Sequence, residues 1–177
     1  MPETNHAPLW GTFRPLRPSR RGEAYAWGLA AVMAATAALL AWRVGVVPWF
    51  VWIFLGFFLG AAILSSFAYW MDAQTVLTLD EQEGLTFRNG LRRVRLAWPE
   101  VSAVRIFDDR WGKRIAVRGQ NGQHFAFRTV TEVEIHEGRP QKLFGFEKGE
   151  ALAQTIIRQA GLTLQTERDD EVYYARG

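Results

Sequence analysis

The sequence predicts an α+β membrane protein: two transmembrane α-helices, then an antiparallel β-sandwich or barrel of six to seven strands capped by a C-terminal helix. Three observations lead there. Two long stretches near the start carry no charge, the following hundred or so residues alternate apolar with polar, and one late segment returns to helical spacing. A mean hydropathy of −0.09 over 177 residues averages these parts into an ordinary soluble profile and hides the division.

Residues 24–42 and 44–71 are the uncharged stretches, 19 and 28 residues long. A bilayer core about 30 Å thick needs about 20 apolar residues at helical rise. Tyr25, Trp27, Trp42, Trp49, Tyr69 and Trp70 sit near the ends of the stretches, where amphipathic rings favour the headgroup level. Residues 43–48 alone connect them, so the spans form a tight antiparallel hairpin. A cleaved signal peptide competes for the first stretch, but its apolar region would be only about 7–15 residues long, and here a second span follows at once. Arg14, Arg17, Arg20 and Arg21 precede the first span, whereas Arg43 is alone in the loop. That Lys/Arg bias puts both termini in the cytoplasm.

Gly56-Phe57-Phe58-Leu59-Gly60 is a small-xxx-small pattern on the second span, and Ala30, Ala34 and Ala38 make a similar ridge on the first. Small residues let helix backbones approach closely. Packing of the hairpin on itself is the expected use of Gly56 and Gly60, with a dimer interface as the alternative. Ser65 and Ser66 are expected to bond helix carbonyls. No ionisable residue lies inside either stretch, which argues against a proton or ion path.

After Asp72 the period becomes two. Thr75 to Asp80 alternates, and Asp80 to Gly84 makes a polar turn. Leu85 and Phe87 share a face, and Asn89-Gly90 follows as a hairpin turn signal. Val94, Leu96 and Trp98 oppose Arg93 and Arg95, Pro99 interrupts, and residues 101–107 make a fourth strand. A turn at residues 108–112 leads to Ile115 and Val117, alternating with Arg114 and Arg118. After Gln120-Asn121-Gly122, Phe125 and Phe127 alternate with His124 and Arg128, and a weaker seventh strand covers residues 132–136. Leu152, Ala153, Ile156, Ile157 and Ala160 then follow helical spacing, with Gly161 as the stop. This stripe suits a helix that plugs one open end of a bent sheet. The expected organisation is a basic arm (1–23), the hairpin (24–71), the β-rich domain (72–162) and a loose acidic tail (163–177).

This layout resembles the bacterial pleckstrin-homology-like membrane proteins. Carrying the likeness are Leu77-Thr78-Leu79-Asp80 with Gly84-Leu85-Thr86-Phe87-Arg88, the Trp98-Pro99-Glu100-Val101 step, and the closing helix. The two-span photosystem I assembly factor of oxygenic phototrophs shares the layout but no close motif. The resemblance implies a multi-pass protein of the bacterial plasma membrane that acts as a non-catalytic scaffold or assembly module. It carries over no catalytic residue.

The residues themselves propose no chemistry. Absence of Cys excludes disulfides and thiolate metal sites. His6, His124 and His136 have no ligand spacing, and no phosphate-binding loop or nucleophile motif occurs. No cofactor and no nucleic acid are expected. Charge is the one polarised feature. Residues 84–128 carry ten Lys/Arg against Glu100, Asp108 and Asp109, while both flanks are net acidic. Arg88, Arg93, Arg95, Arg114, Arg118 and Arg128 take the outward phase of their strands, so they are expected to form one basic face. That face would meet anionic lipid, a protein partner or a second copy, or it would simply be solvated. The competing function is an accessory subunit held in a larger membrane complex through its spans.

Overall fold

The uncharged stretches form two helices in the computed structural model, which describes residues 7–16, 20–109, 112–130, 132–135, 139–142, 145–168 and 170–177. Helix α1 covers Arg21–Val44 and α2 covers Trp49–Ala73. Both are long and apolar enough to cross a membrane, and only 11% of the most apolar window of each is buried. Gly45 ends α1 in the left-handed region (φ 75°), its N–H donating to Ala41 O at 3.1 Å. Pro48 stands directly before α2, where its fixed φ suits a helix start.

The two helices meet along a seam. Buried or half-buried positions recur at Ala26, Ala30, Met33, Ala37 and Leu40 on α1, and at Val51, Leu55, Phe58, Ala62 and Ser65 on α2. Alternating steps of four and three residues are those of left-handed helix packing. The expected use of Gly56 and Gly60 inside the hairpin is corrected: a Cβ on either would meet nothing within 4 Å. Ala62, fully buried, takes the close position, while Ala34 and Ala38 are exposed. Ser66 also departs from expectation. Its hydroxyl donates to Glu23 Oε1 at 2.8 Å and accepts from Trp27 Nε1 at 2.9 Å, so it bonds across the hairpin.

The β-rich unit is separate from the hairpin and draws on both ends of the chain. Its strands are β1 (Gly11–Phe13), β2 (Val76–Asp80), β3 (Gly84–Asn89), β4 (Arg92–Leu96), β5 (Val101–Asp109), β6 (Gly112–Gly119) and β7 (His124–Arg128). There follow β8 (Glu132–Ile135), β9 (Arg139–Lys142), helix α3 (Gly149–Gln159), β10 (Thr163–Arg168) and β11 (Glu171–Ala175). Two antiparallel sheets result, in the orders β1-β2-β3-β4 and β10-β11-β5-β6-β7, and β8 pairs with β9 apart from both.

Alternation decides the inside. Leu77, Leu79, Leu85, Phe87, Val94 and Leu96 from the first sheet join Val104, Ile115, Val117, Phe125 and Phe127 from the second in one buried cluster. Phe87 stacks on Phe125 across the sheets, ring centroids 4.6 Å apart. Helix α3 closes the cluster with Leu152, Ala153, Ile156 and Ile157, as its spacing predicts. The Trp98-Pro99-Glu100 step is a single helical turn between the sheets. Its indole donates to Asp80 O at 2.9 Å, and Glu100 Oε2 accepts from the N–H of Ala97 at 2.9 Å. Gly84 (φ 114°) permits the close crossing there, since a Cβ would lie 2.3 Å from Leu96 O. The β3–β4 register pairs Asn89 with Arg92, so the turn residues are Gly90 and Leu91, one position later than the Asn-Gly pair predicts.

Both expected ends need correction. The 1–23 arm is not merely a basic lead: β1 pairs with β2, Leu9, Trp10 and Phe13 pack on the core, and the Leu9 N–H donates to Thr155 Oγ1 of α3. The 163–177 tail is not loose. Strand β11 pairs with β5 over five positions, and Arg176 donates to Ala160 O at 3.0 Å. Helix α3 is therefore internal, and the described strands exceed the six or seven predicted. The turn residues Arg110 and Trp111, together with Arg17, His6 and His136, lie outside the described residues.

Leu152→Asp is expected to abolish the cooperative melt of the β-rich unit, because an unpaired carboxylate would replace a fully buried side chain. Gln154→Asp, on the exposed side of the same helix, should melt as the parent does. Circular dichroism against temperature compares them.

Candidate binding surfaces

Side chains pointing away from a core shared by two sheets lie on two outer faces. The six arginines of the expected basic face divide between them, which corrects the single-face reading. Arg88, Arg93 and Arg95 stand on the four-stranded sheet, and Arg114, Arg118 and Arg128 on the five-stranded one. Alternation gives each residue its phase but not its sheet. The break at Trp98-Pro99-Glu100 moves the chain from one sheet to the other.

On the four-stranded sheet Arg88 lies directly opposite Arg93, and Thr86 opposite Arg95. Arg95 reaches Glu83 at 2.6 Å with both side chains largely exposed, so this pair adds little stability. Thr12 and Thr78 meet at 3.2 Å on the same side. Asp80 holds the following turn: its Oδ1 accepts from the N–H groups of Gln82 and Glu83, both at 2.9 Å. Those backbone bonds, Glu83's first, hold its carboxyl below the ordinary range. Leu91 at the β3–β4 turn is 82% exposed.

The five-stranded sheet presents a different surface. Arg114 faces Arg128, Arg118 faces His124, and Ala116 faces Ala126 across β6 and β7. Asp109 binds Arg128 at 2.6 Å. Across β5 and β11, Arg105 opposes Tyr173 and Phe107 opposes Glu171. Arg105 donates to Glu171 at 2.7 Å, which lowers the Glu171 carboxyl from its usual range. The guanidinium groups of Arg105 and Arg114 lie 5.4 and 5.7 Å from the Phe107 ring centroid, within reach for cation–π attraction. A cavity of about 340 Å³ opens beside them, lined by Arg105, Thr166, Arg168, Glu171 and Tyr173. Sequence reasoning singled out none of these five. Phe107 and Arg105 share the outward phase of β5, and that was the signal available.

Lys113, on the opposite phase of β6 from Arg114, reaches α3, where Glu150 accepts its hydrogen bond at 2.7 Å and raises the ammonium pKa. Among the described residues no three His, Cys, Asp or Glu side chains gather to hold a metal ion. Asp108 and Asp109 do not act as a pair: Asp109 turns to Arg128, and Asp108 is exposed. Comparison with known proteins finds no matching family model, no matching curated protein and no matching solved structure.

Asp80 and Glu171 have folded-state pKa values below their unfolded ones. Their stabilisation is complete above the unfolded carboxylate range and is lost as pH falls through the depressed values. The melting temperature should therefore fall on acidification below about pH 4. Replacing both, as Asp80→Ala with Glu171→Gln, should lower it at pH 7 and flatten the acid decline. Melts at stepped pH read this directly.

Proposed function

We propose that this chain is a membrane-anchored, non-catalytic binding module of the bacterial plasma membrane. Two spans hold a pleckstrin-homology-like domain at the cytoplasmic face, where it meets protein partners or anionic headgroups. One observation carries the reading: an apolar helical hairpin, almost all of it uncovered, shares a chain with a closed sandwich whose outward strand positions are arginine-rich. Hairpin surfaces bearing Trp52, Phe54, Phe57 and Leu64, each more than half exposed, are stable in lipid and not in water. The β2-β3-β4 and β5-β6-β7 meanders closed by α3 support the family resemblance. Arg14 and Arg20 before α1 and Arg21 at its first position, against Arg43 alone in its last turn, support cytoplasmic termini.

An accessory subunit held through its spans is the competing reading. Partners that co-purify after removal of residues 74–177 favour it, and partners lost with those residues favour the binding module.

The topology has its own test. In sealed cells, Val46→Cys in the interhelical loop should react with an impermeant thiol reagent, and Gln165→Cys on β10 should not. Labelling in the reverse pattern, or recovery of the chain in the supernatant of detergent-free ultracentrifugation, overturns the proposal.

A further inference from the structure

We propose that the outer face of the five-stranded sheet is a docking surface for an extended, acidic segment of a partner protein. This rests on the binding-module reading and names the partner's chemistry. The central row of the face runs Thr166, Tyr173, Arg105, Ala116, Ala126 across five strands. Two alanines side by side leave a shallow floor between the Arg114–Arg128 pair on one side and the Arg118–His124 pair on the other. Five arginines (105, 114, 118, 128 and 168) occupy this face against the carboxylates of Asp109 and Glu171. Asp109 binds Arg128, and Glu171 binds Arg105 and attracts Arg168, which stands opposite it. Arg114 and Arg118 form no ion pair among the described residues, so the face is left with a cationic surplus.

The same face is pre-organised. The guanidinium groups of Arg105 and Arg114 both lie over the Phe107 ring, and side chains already placed lower the ordering cost of binding. Aromatic rings and arginine are the residues enriched where proteins dock on one another. Arg114 and Arg118 are four residues apart on β6, about 13 Å at strand rise. An extended segment with carboxylates on alternate residues places two of them at that separation on one side. The cavity at Arg105, Thr166 and Tyr173 takes a side chain beside them.

An anionic bilayer fits less well. The face carries no lysine and no protruding aliphatic side chain, and Tyr173 and Phe107 are half-buried. The exposed Leu91 belongs to the other sheet.

The test uses the full chain in phosphatidylcholine nanodiscs and a labelled dodecapeptide of alternating Glu and Thr. Saturable binding is expected, with none for the Lys-Thr analogue. Arg114→Glu with Arg118→Glu should weaken binding by about tenfold or more. Ala126→Trp, which raises the floor without changing charge, should weaken it by about threefold or more. Arg88→Glu with Arg93→Glu, on the other sheet, should leave it unchanged. Loss of binding by that last variant, or indifference to Ala126→Trp, reduces the effect to general charge attraction and overturns the proposal. So does absence of peptide binding. Tighter, equally sensitive binding to vesicles of equal phosphatidylcholine and phosphatidylserine assigns the face to lipid instead, and to an oligothymidylate of the same charge, to nucleic acid. Retention of the chain in membranes is scored separately, so failure here leaves the anchoring intact.

Discussion

The β-rich unit depends on one requirement: two sheets and a helix must bury a single apolar cluster. Every strand from β2 to β7 contributes alternate side chains to it, and α3 closes it with Leu152 and Ile156, both fully buried. Once those residues point inward, period two forces their neighbours outward. The arginines are thus placed by the core and not by any attraction among themselves. Arg88 opposite Arg93, and Arg114 opposite Arg128, are like-charge cross-strand pairs, an arrangement that costs stability where nothing neutralises it. Core burial outweighs such terms, and that is why they persist.

How legible the fold was follows from the same logic. Strands β2 to β7 and helix α3 were readable because each must hide one face, and hiding a face writes a period into the sequence. Strand β10 hides nothing: all six residues are exposed, and it is held by backbone bonds to β11 at the sheet edge. Thr163-Leu164-Gln165-Thr166-Glu167-Arg168 therefore carries no alternation to read. In β11, Tyr174 leans on the core while Tyr173 faces outward, and half-burial at all five positions blurs the pattern. Strand β1 is three residues long, too short for a period. The candidate faces were legible as outward arginines and illegible as separate surfaces, since pairing partners far apart in sequence decide the sheet.

The hairpin shows how a motif can mislead. Gly56 and Gly60 have the spacing that brings helices together, yet the seam runs through Val51, Leu55, Phe58 and Ala62. In an apolar solvent helices gain from packing fit and interhelical hydrogen bonds, not from hiding apolar surface. Ala30 and Ala37 on α1 supply the small residues, so α2 can present larger ones. The Glu23–Ser66–Trp27 link then fixes one end of the pair. A buried hydroxyl left without a partner is costly, and that of Ser66 finds both of its partners on the other helix.

The division of arginines between two faces changes what electrostatics can do here. A single face of six would make the domain strongly dipolar and drive it flat onto any negative surface. Split across a sandwich, half the charge opposes the other half, and the long-range field is weaker and less directional. Selectivity must then come from local features, and the two faces differ in those. The four-stranded face offers threonines beside a solvent-exposed Arg95–Glu83 pair. The five-stranded face offers aromatic rings, an alanine floor and arginines already oriented by carboxylates. Charge alone does not distinguish these surfaces; shape and pre-organisation do, and both favour the sheet that the C-terminal strands complete.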